Sequence, residues 1–502
     1  MQTKPAREAF AAAYAAQKPQ VVWTRLVTDV ETPVSAMLKL ADGLPYSFLL
    51  ESVEGGAIRG RYSLIGFKPD VIWRCRSGKA EINRRAHFDL TSFEPLADKP
   101  LDSLRSLIKQ SQIDVPAELP PMAAGIYGYM GYDMVREIER IADDNPDPLG
   151  LPDSIFMRPT VMVVFDRLED AALIITPVWP QPGVDANSAY DQACERLAHV
   201  LNDFRRSLPY RRDVAAAAPA KPLEVKSNMT KQAFKDMVAK AKEYVAAGDA
   251  FQIVPSQRFA VPFKLPPFAL YRSLRRINPS PFLIFFDFGD FSIVGSSPEI
   301  LVRLREDWVT VRPLAGTRPR GATPVEDKKM ADELLADPKE RAEHLMLLDL
   351  ARNDVGRVAK IGSVRVTEQF IVERYSHVMH ISSNVDGLID PKYDALDALA
   401  AGFPAGTLSG APKVRAMQII EELEPERRGI YGGCAGYFAA NGSMDTCILL
   451  RTAVVKNNTM YVQAGVGVVA DSDLEAEYQE SVNKAKALVQ AAEEAIKSAQ
   501  QA

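Results

Sequence analysis

The sequence has few cysteines and histidines, the residues from which disulfide scaffolds and structural zinc sites are built. Its 502 residues contain five histidines and four cysteines, and no two cysteines form a CxxC pair. The cysteines are Cys75, Cys194, Cys434 and Cys447. A disulfide framework and a structural zinc site are therefore not expected, and the pattern fits a protein of the reducing cytoplasm.

Long apolar runs and an excess of positive charge are also missing. No stretch approaches the roughly 18 apolar residues of a membrane span, and the alanine-rich N-terminus carries charges in place of a signal-peptide core. The formal net charge of -5 gives no electrostatic reason to expect nucleic-acid binding. Because 47% of the residues are hydrophobic and 25% are charged, we predict a soluble, cytoplasmic globular protein without membrane or nucleic-acid partners.

The predicted elements divide the chain around a connector of low complexity. Residues 208–228 contain prolines and no periodicity, so we predict a linker there between an N-terminal region, 1–207, and a C-terminal region, 229–502. In the second region, Thr230 is expected to cap a helix, and a hairpin is expected to turn at Gly289-Asp290. Strands and helices alternate without the regular βαβ rhythm of a doubly wound sheet. The fold class is therefore α+β, with large sheets flanked by helices.

One helical segment, residues 341–356, combines an apolar stripe with a high density of charged side chains. Leu345 and Leu348 are assigned to the apolar stripe, and Glu343 lies beside them. A solvated helix face would by itself explain such a segment. However, a second acidic helix begins near residue 471, and two carboxylates from distant segments suit a hard cation such as Mg²⁺. We therefore predict that these two helices meet.

Glycines and histidines elsewhere give weaker signals. Gly465, Gly467 and Ala470 imitate a dinucleotide fingerprint, but no second strand with an acidic residue follows, so we reject a NAD site. The two glycines instead let backbone N–H groups approach a small anion. His377 and His380 lie in a strand pattern that places them on opposite faces, so only one can face a given site. Such a lone histidine is either a hydrogen-bonded structural residue or a proton carrier.

Two more segments have both a structural and a functional interpretation. The loop FPAGTLSGAPK, residues 403–413, forms a turn and a helix cap, but it also presents the hydroxyl of Thr407. Glu480 and Lys484 lie four residues apart on one helical face, where an exposed pair contributes about 0.2–0.5 kcal/mol. Alternatively, Glu480 binds a metal and Lys484 binds an anionic substrate. Taken alone, both segments favour the structural interpretation.

Nine motifs follow one another between residues 234 and 487. They are SSPEILVR, RPLAGTRPRG, EHLMLLDLARNDVGR, HVMHISSNVDG, FPAGTLSGAPK, YGGCAGYF, LLRTAVV, QAGVGVVADSD and EYQESVNKA. In this order they resemble the chorismate-utilising enzymes, and closely the anthranilate synthase component I branch of that family. The resemblance implies large antiparallel sheets packed in a sandwich with helices on the outside. It also makes the C-terminal region the chorismate-binding catalytic part.

Two positions narrow the chemistry within this family. Water-adding members resemble one another in carrying a lysine base where this chain has Gln252. Aminodeoxychorismate synthases carry a nucleophilic lysine where this chain has Ala315. Because both lysines are missing, the resemblance implies that ammonia attacks chorismate to give anthranilate and pyruvate, the first step of tryptophan biosynthesis. The alternatives are an aminodeoxychorismate or 2-amino-2-deoxyisochorismate synthase, or a non-catalytic tryptophan-binding regulator.

The resemblance also implies roles for single residues. Glu343 and Glu480 would hold Mg²⁺, and Glu299 would protonate the departing hydroxyl as a general acid. His380 would assist the loss of pyruvate. Thr407 and Lys484, counted with these catalytic residues, would fix other oxygens of the substrate. The residues implied to bind chorismate are Gly316, Thr317, Tyr431, Arg451, Gly465 and Gly467.

A feedback site and a partner subunit are implied as well. The strands and the proline turn that resemble the tryptophan-binding site of anthranilate synthases contain Leu50, Glu51, Ser52, Asn278, Pro279, Ser280, Pro281 and Phe282. Phe282 stands where a tyrosine is often found in the family, which affects the affinity for tryptophan. Since no glutamine-hydrolysing module is visible, we expect ammonia to come from a separate glutamine amidotransferase subunit. The two would form a hetero-oligomer, a heterodimer or a heterotetramer.

Overall fold

The computed structural model describes residues 2–54, 58–208, 223–375 and 378–501. Residues 209–222, which make up most of the predicted linker, and His377 lie outside the described residues. The helices in the described ranges are α1 (Arg7–Ala15), α2 (Pro33–Leu40), α3 (Pro100–Gln110), α4 (Ala186–Phe204), α5 (Lys231–Ala246), α6 (Pro267–Ile277), α7 (Pro324–Ala336), α8 (Pro338–Gly356), α9 (Ala395–Gly402), α10 (Gly406–Ser409), α11 (Lys413–Leu423) and α12 (Leu474–Gln501).

The strands in the same ranges pair only in antiparallel fashion. They are β1 (Gln20–Val27), β2 (Ser47–Glu54), β3 (Ile58–Arg76), β4 (Lys79–Asn83), β5 (Glu94–Pro95), β6 (Gly125–Met130), β7 (Ser154–Asp166), β8 (Ala171–Val178), β9 (Lys226–Ser227), β10 (Gln252–Ile253), β11 (Ser256–Pro262), β12 (Phe282–Asp287), β13 (Ser292–Ser297), β14 (Ile300–Arg305), β15 (Trp308–Val311), β16 (Leu314–Pro319), β17 (Arg365–Arg374), β18 (Val378–Leu388), β19 (Gly410–Ala411), β20 (Cys434–Ala439), β21 (Met444–Ile448), β22 (Thr452–Lys456) and β23 (Thr459–Gly465).

All the strands except β10 and β19, which pair with each other, form one connected sheet. It divides into two parts, called here the first and the second sheet, that share the long strands β3 and β7. The first sheet follows the pairing order β9-β11-β23-β22-β13-β12-β2-β3-β7-β8-β1. The second follows β5-β4-β3-β7-β6-β20-β21-β14-β15-β18, and β16 and β17 also pair with β18. The register of β3 against β7 shifts between Pro69 and Val71, and such a bulge bends strands from one sheet into the other.

The sheets and helices form layers. An aromatic core between the sheets contains Phe48, Tyr127 and Phe286. Residues of α1, α2, α4, α6 and α12 pack on the outer face of the first sheet, and residues of α3, α8, α9 and α11 pack on the second. This α+β sandwich with outer helices confirms the predicted fold class.

Strands from before and after the predicted linker pair with each other, β2 with β12 and β6 with β20. The division of the chain into two regions at 208–228 stays a prediction. Within the described ranges, no helix is long and apolar enough to cross a membrane.

Several local predictions can be checked directly. Thr230 caps α5 by accepting a hydrogen bond from the amide of Ala233, and the β12–β13 hairpin turns at Gly289 with a φ of 88°. Leu345 was assigned to the buried stripe of α8, which is wrong because its side chain is 53% exposed. The buried face instead includes His344 and Leu348, one helical turn apart, and a residue next to His344 in sequence is rotated by about 100° away from it.

Candidate active site

The two acidic helices predicted to meet come close at their N-terminal ends, where Lys339 of α8 forms an ion pair with Asp471, just before α12, at 3.1 Å. Asp337 begins α8 by capping the amide of Lys339, and Asp473 does the same for the amide of Ala476 in α12. Glu343 on α8 is thereby placed near Glu480 on α12, close enough that the charge of Glu480 raises the pKa of Glu343. The two acidic caps satisfy the first amides of each helix and define where each helix begins.

Glu343 lies in surroundings that shift the pKa of its carboxyl group upward. Burial is the main reason that its pKa is raised, and the carboxylates of Glu340 and Glu480 add to the effect. The amide nitrogen of Gln252 donates to Glu343 at 3.0 Å, which opposes that rise. The Oε1 atom of Gln252 is buried and has no hydrogen-bond partner among the described residues. Lys484 lies 2.8 Å from the carboxylate of Glu480 and donates to the carbonyl of Gly465 at 3.0 Å.

The donor set fits Mg²⁺. This ion prefers hard oxygens and is usually held by one or two carboxylates, with water and substrate oxygens in the other positions. Glu343 and Glu480 would supply such carboxylates from two helices; burial is the main cause of the raised pKa of Glu343, and the smaller contribution of the Glu480 charge is one that a cation would relieve. No group of three or more His, Cys, Asp or Glu side chains that could hold a metal ion occurs in the described part of the chain.

Glu299 follows β13 and is buried. Burial raises the pKa of its carboxyl to about 8, although hydrogen bonds and a nearby cation act in the opposite direction. The amide of Leu314 donates to it at 3.4 Å, and the hydroxyl of Thr407 on α10 donates at 3.3 Å. The charge of Arg451 also lowers this pKa, whereas Glu373 raises it. At neutral pH this carboxyl therefore carries its proton and can act as an acid.

His380 on β18 is held by one ring nitrogen. Its Nδ1 atom lies 2.8 Å from the carbonyl oxygen of Gly316 and 3.2 Å from the hydroxyl of Thr317. A carbonyl can only accept, so Nδ1 carries the proton and Nε2 presents a lone pair. Nε2 is buried and has no partner in the described ranges. Burial, followed by the charge of Arg451, lowers the pKa of His380 to about 4, so the ring is neutral at pH 7.

Arg451 precedes β22 in the left-handed backbone region, at a φ of 50°. Its guanidinium makes no hydrogen bond or ion pair with any described residue, and burial lowers its pKa. A guanidinium without a protein carboxylate is suited to binding a substrate carboxylate in bidentate geometry. Glu299 and Tyr375 are the groups whose charges act on it. The cation and the acid therefore lie in one site.

The predicted anion-binding glycines lie at close backbone contacts. A side chain at Gly465 would come within 2.8 Å of the hydroxyl of Tyr431, and one at Gly467 would come within 2.5 Å of the Gln252 amide. Burial raises the pKa of Tyr431 to about 12, so its hydroxyl stays protonated. At Gly465 a side chain would also come within 2.9 Å of the backbone carbonyl of Pro255, so this glycine is needed for packing whatever else it binds.

Five of the eight predicted inhibitor residues line a large cavity. Ser52 is opposite Phe282, and Leu50 is opposite Ile284, in the β2–β12 pair. The cavity has a volume of about 800 Å³, and its walls include Leu50, Glu51, Ser52, Pro281, Phe282 and Glu299. Pro279 and Ser280 belong to the turn before β12 and are not among its lining residues.

Glu51 is already bound within the protein. Its buried carboxylate accepts a hydrogen bond from the hydroxyl of Tyr271 at 2.6 Å and a pair of hydrogen bonds from Arg275. Burial acts to raise the pKa of Glu51, but these partners outweigh it, and the pKa is lowered. Glu51 is therefore ionised.

Some contacts of the site were not predicted. Gln252 was noted only as a replacement for a lysine, and its hydrogen bond to Glu343 was not foreseen. The amide of Leu314 and the ion pair of Lys413 with Asp354, at 2.9 Å, were also missed. The local sequence around these residues does not predict the contacts, because each contact joins segments that are distant in sequence and meet only in the folded chain.

Comparison with known proteins identifies the class. The family model described as chorismate binding enzyme matches residues 62–490, so the chain belongs to the chorismate binding enzyme family. Anthranilate synthase component 1 of Cereibacter sphaeroides is 60% identical over 488 residues, 97% of each chain, and that of Pseudomonas putida is 48% identical over 470 residues, 93% of each. The crystal structure of anthranilate synthase component I from Streptococcus pneumoniae has 38% identity and a TM-score of 0.74, over 86% of this chain and 92% of that one. The chain is accordingly an enzyme of this family.

Proposed function

We propose that the enzyme converts chorismate and ammonia to anthranilate and pyruvate in tryptophan biosynthesis, with Mg²⁺ as cofactor. The observation that carries this proposal is the grouping of a protonated acid, Glu299, with a neutral base, His380, around the unpaired guanidinium of Arg451. The relatives named anthranilate synthase component 1 support the choice of product.

Glu343 and Glu480 would hold the metal between α8 and α12. When bound there, Mg²⁺ would neutralise the ring carboxylate of chorismate and make the ring more electrophilic. The hydrogen bond from Gln252 occupies one oxygen of Glu343 and orients the carboxylate. Lys484, which lies beside Glu480, adds a positive charge for the oxygens of an anionic substrate. Arg451 would bind the second carboxylate, on the enolpyruvyl side chain.

Glu299 and His380 would divide the proton transfers. Ammonia forms a bond to the ring while the ring hydroxyl departs, and Glu299 gives that hydroxyl its proton, so that water leaves. The Thr407 hydroxyl orients the carboxyl for this step. His380 then uses Nε2 to accept the ring proton whose loss restores aromaticity as the ring C–O bond breaks, and the departing enolpyruvate takes up one proton at its methylene carbon to become pyruvate. The hydrogen bond of Nδ1 to Gly316 fixes the tautomer that this step needs.

The large cavity supports a feedback site for L-tryptophan. Strands β2 and β12 would bind the inhibitor on one side of the same cavity whose other side includes Glu299. Ammonia would come from a separate glutamine amidotransferase subunit in a cytoplasmic hetero-oligomer, since the relatives are named as one component of an enzyme.

One assay tests the proposal. The purified chain is given chorismate, Mg²⁺ and ammonium at mildly alkaline pH, and anthranilate fluorescence is followed with and without L-tryptophan. The proposal expects emission that tryptophan suppresses. Consumption of chorismate without that emission would identify an aminodeoxy product instead, and no consumption at all would favour a tryptophan-binding regulator.

A further inference from the structure

A buried ion pair lies behind the site without being part of it. Arg428 and Glu424 follow α11, four residues apart, and both are nearly inaccessible to solvent, with 3% and 4% exposed. The guanidinium donates to Glu424 through Nη2 at 2.6 Å and through Nε at 3.0 Å. Neither side chain contacts Glu299 or His380, the residues to which the proton transfers were assigned.

The free donors of Arg428 bind two backbone carbonyls. Its Nη1 donates to the carbonyl of Leu408 at 2.6 Å, and its Nη2 donates to the carbonyl of Val254 at 2.6 Å. Leu408 follows Thr407 in the short helix α10, and Val254 lies two residues after Gln252. The Arg428 guanidinium therefore connects two segments of the site. One carries Thr407, which donates to Glu299, and the other carries Gln252, which donates to Glu343.

Glu424 and the face of the guanidinium complete the connection. The same carboxylate accepts hydrogen bonds from the amide and the hydroxyl of Ser256, both at 2.8 Å. The guanidinium lies over the ring of Tyr431, 5.5 Å from its centroid, and over that of Tyr132, at 4.7 Å. The hydroxyl of Tyr431 interacts with the backbone of Gly465. Three separate segments of the site thus converge on this ion pair.

The stability of the fold does not by itself require the charged pair of Arg428 and Glu424. Burying an ion pair carries a desolvation penalty, and well-packed apolar replacements are often neutral or stabilising. A guanidinium does offer what apolar side chains lack, since its planar fork fixes several acceptors at set angles. A misplacement of about 1 Å in a catalytic group can lower the rate about 100-fold.

We infer that Arg428 and Glu424 form a positioning ion pair that sets the placement of Gln252, Thr407 and Tyr431 relative to one another. The inference rests on the proposed function only in treating these three as site residues. It predicts that the planar fork of Arg428, and not merely its charge, is required for turnover.

The test compares three variants. Arg428→Lys keeps the charge and loses the fork, and Arg428→Met with Glu424→Leu removes the pair. Arg158→Lys is the matched control, because Arg158 binds Asp70 through two hydrogen bonds, at 2.9 and 2.7 Å, away from the site. The measurements are kcat and KM from chorismate consumption, the thermal melt, and an infrared titration of the Glu299 carboxyl.

We expect Arg428→Lys to lower kcat/KM about 30- to 100-fold, mainly through kcat, while its melt stays cooperative. The control should remain within about twofold of the wild type. Displacement of Thr407 removes a hydrogen bond to the ionised form of Glu299, so the infrared titration of Glu299 should move to higher pH in Arg428→Lys.

Two results would overturn the inference. The first is a kcat/KM within about twofold of the wild type in Arg428→Lys or in the folded double variant. The second is a Glu299 titration that Arg428→Lys leaves unchanged. If the double variant does not fold, the kcat/KM and the Glu299 titration of Arg428→Lys still test the inference. If the wild type consumes chorismate to another product, or none at all, the proposed function fails, while the infrared titration continues to test the positioning.

Discussion

Two glutamates line the same cavity, Glu299 after β13 and Glu51 on β2, and both are buried. The pKa of Glu299 is raised to about 8, whereas the pKa of Glu51 is lowered. Burial favours the neutral acid in both cases, so the difference lies in the partners. Glu299 accepts weak hydrogen bonds from an amide and a hydroxyl, while Glu51 is bound directly by Arg275 and Tyr271.

The side chains around the two carboxyl groups also differ in whether they have hydrogen-bond partners. On the catalytic side, the guanidinium of Arg451 and the Nε2 atom of His380 have no partner among the described residues. On the inhibitor side, the buried charges of Glu51 and Arg275 are bound to each other. Unsatisfied groups destabilise a fold and are kept where a substrate will satisfy them. Under the proposed function, the contacts around Glu299 would serve the reaction, and those around Glu51 would serve structure and inhibitor binding.

The strongest test of this contrast is Glu299→Gln. The amide keeps the shape but cannot give up a proton, so kcat should fall about 10³-fold, within the range attributed to general acids. Steady-state anthranilate formation measures the loss. Glu51→Gln is the matched control for charge removal, and its turnover should stay within about threefold of the wild type. Equal losses in both variants would contradict the separation of the two regions.

His380→Gln should have the next largest effect. Loss of the Nε2 base is expected to lower anthranilate formation about 100-fold, while the earlier amination continues. Chromatography of quenched reactions should then show an aminated, non-aromatic intermediate. Anthranilate formation at the wild-type rate would refute the assigned role.

Glu51→Gln also makes a prediction of its own for stability. Removing one charge of the buried pair leaves Arg275 without its counter-ion, and breaking such a pair costs about 3–5 kcal/mol. Denaturant unfolding should show a decrease in the free energy of unfolding of about 3 kcal/mol, and tryptophan inhibition should weaken. An unchanged unfolding midpoint would show that the pair contributes little.

Thr407→Val should have the smallest effect, a loss of a few-fold in kcat with a change in pH dependence. The acid form of Glu299 is lost as pH rises through its pKa of about 8, so kcat falls on the alkaline side. Because Thr407 stabilises the ionised form, its removal should raise this pKa and move the alkaline limb to higher pH. A limb that moves to lower pH would contradict the assigned hydrogen bond.

The sequence predicted the parts of this molecule that depend on local pattern. The cap at Thr230 and the hairpin at Gly289 follow from capping and turn chemistry. The approach of the two acidic helices is the one long-range feature predicted, and it rested on their charges and not on local pattern. The assignment of Leu345 to the buried stripe of α8 failed because tertiary packing uses a different face of the helix.

Long-range contacts escaped prediction for a physical reason. Arg428 contacts Val254 and Leu408 only because β10, α10 and α11 come together in the folded sheets. The opposite protonation of Glu299 and Glu51 likewise depends on partners far away in sequence. The motifs predict that Glu299 and Glu51 belong to the site, but the protonation state of each depends on contacts that form only in the folded protein.

The central claim is best tested by infrared difference spectroscopy of the wild type against Glu299→Gln and against Glu51→Gln at neutral pH. The account predicts that the first difference contains the C=O band of a protonated carboxyl, which disappears as pH is raised above about 8, and that the second contains only carboxylate bands. A carboxylate band for Glu299 at neutral pH would contradict the account, because the proposed acid would have no proton to give.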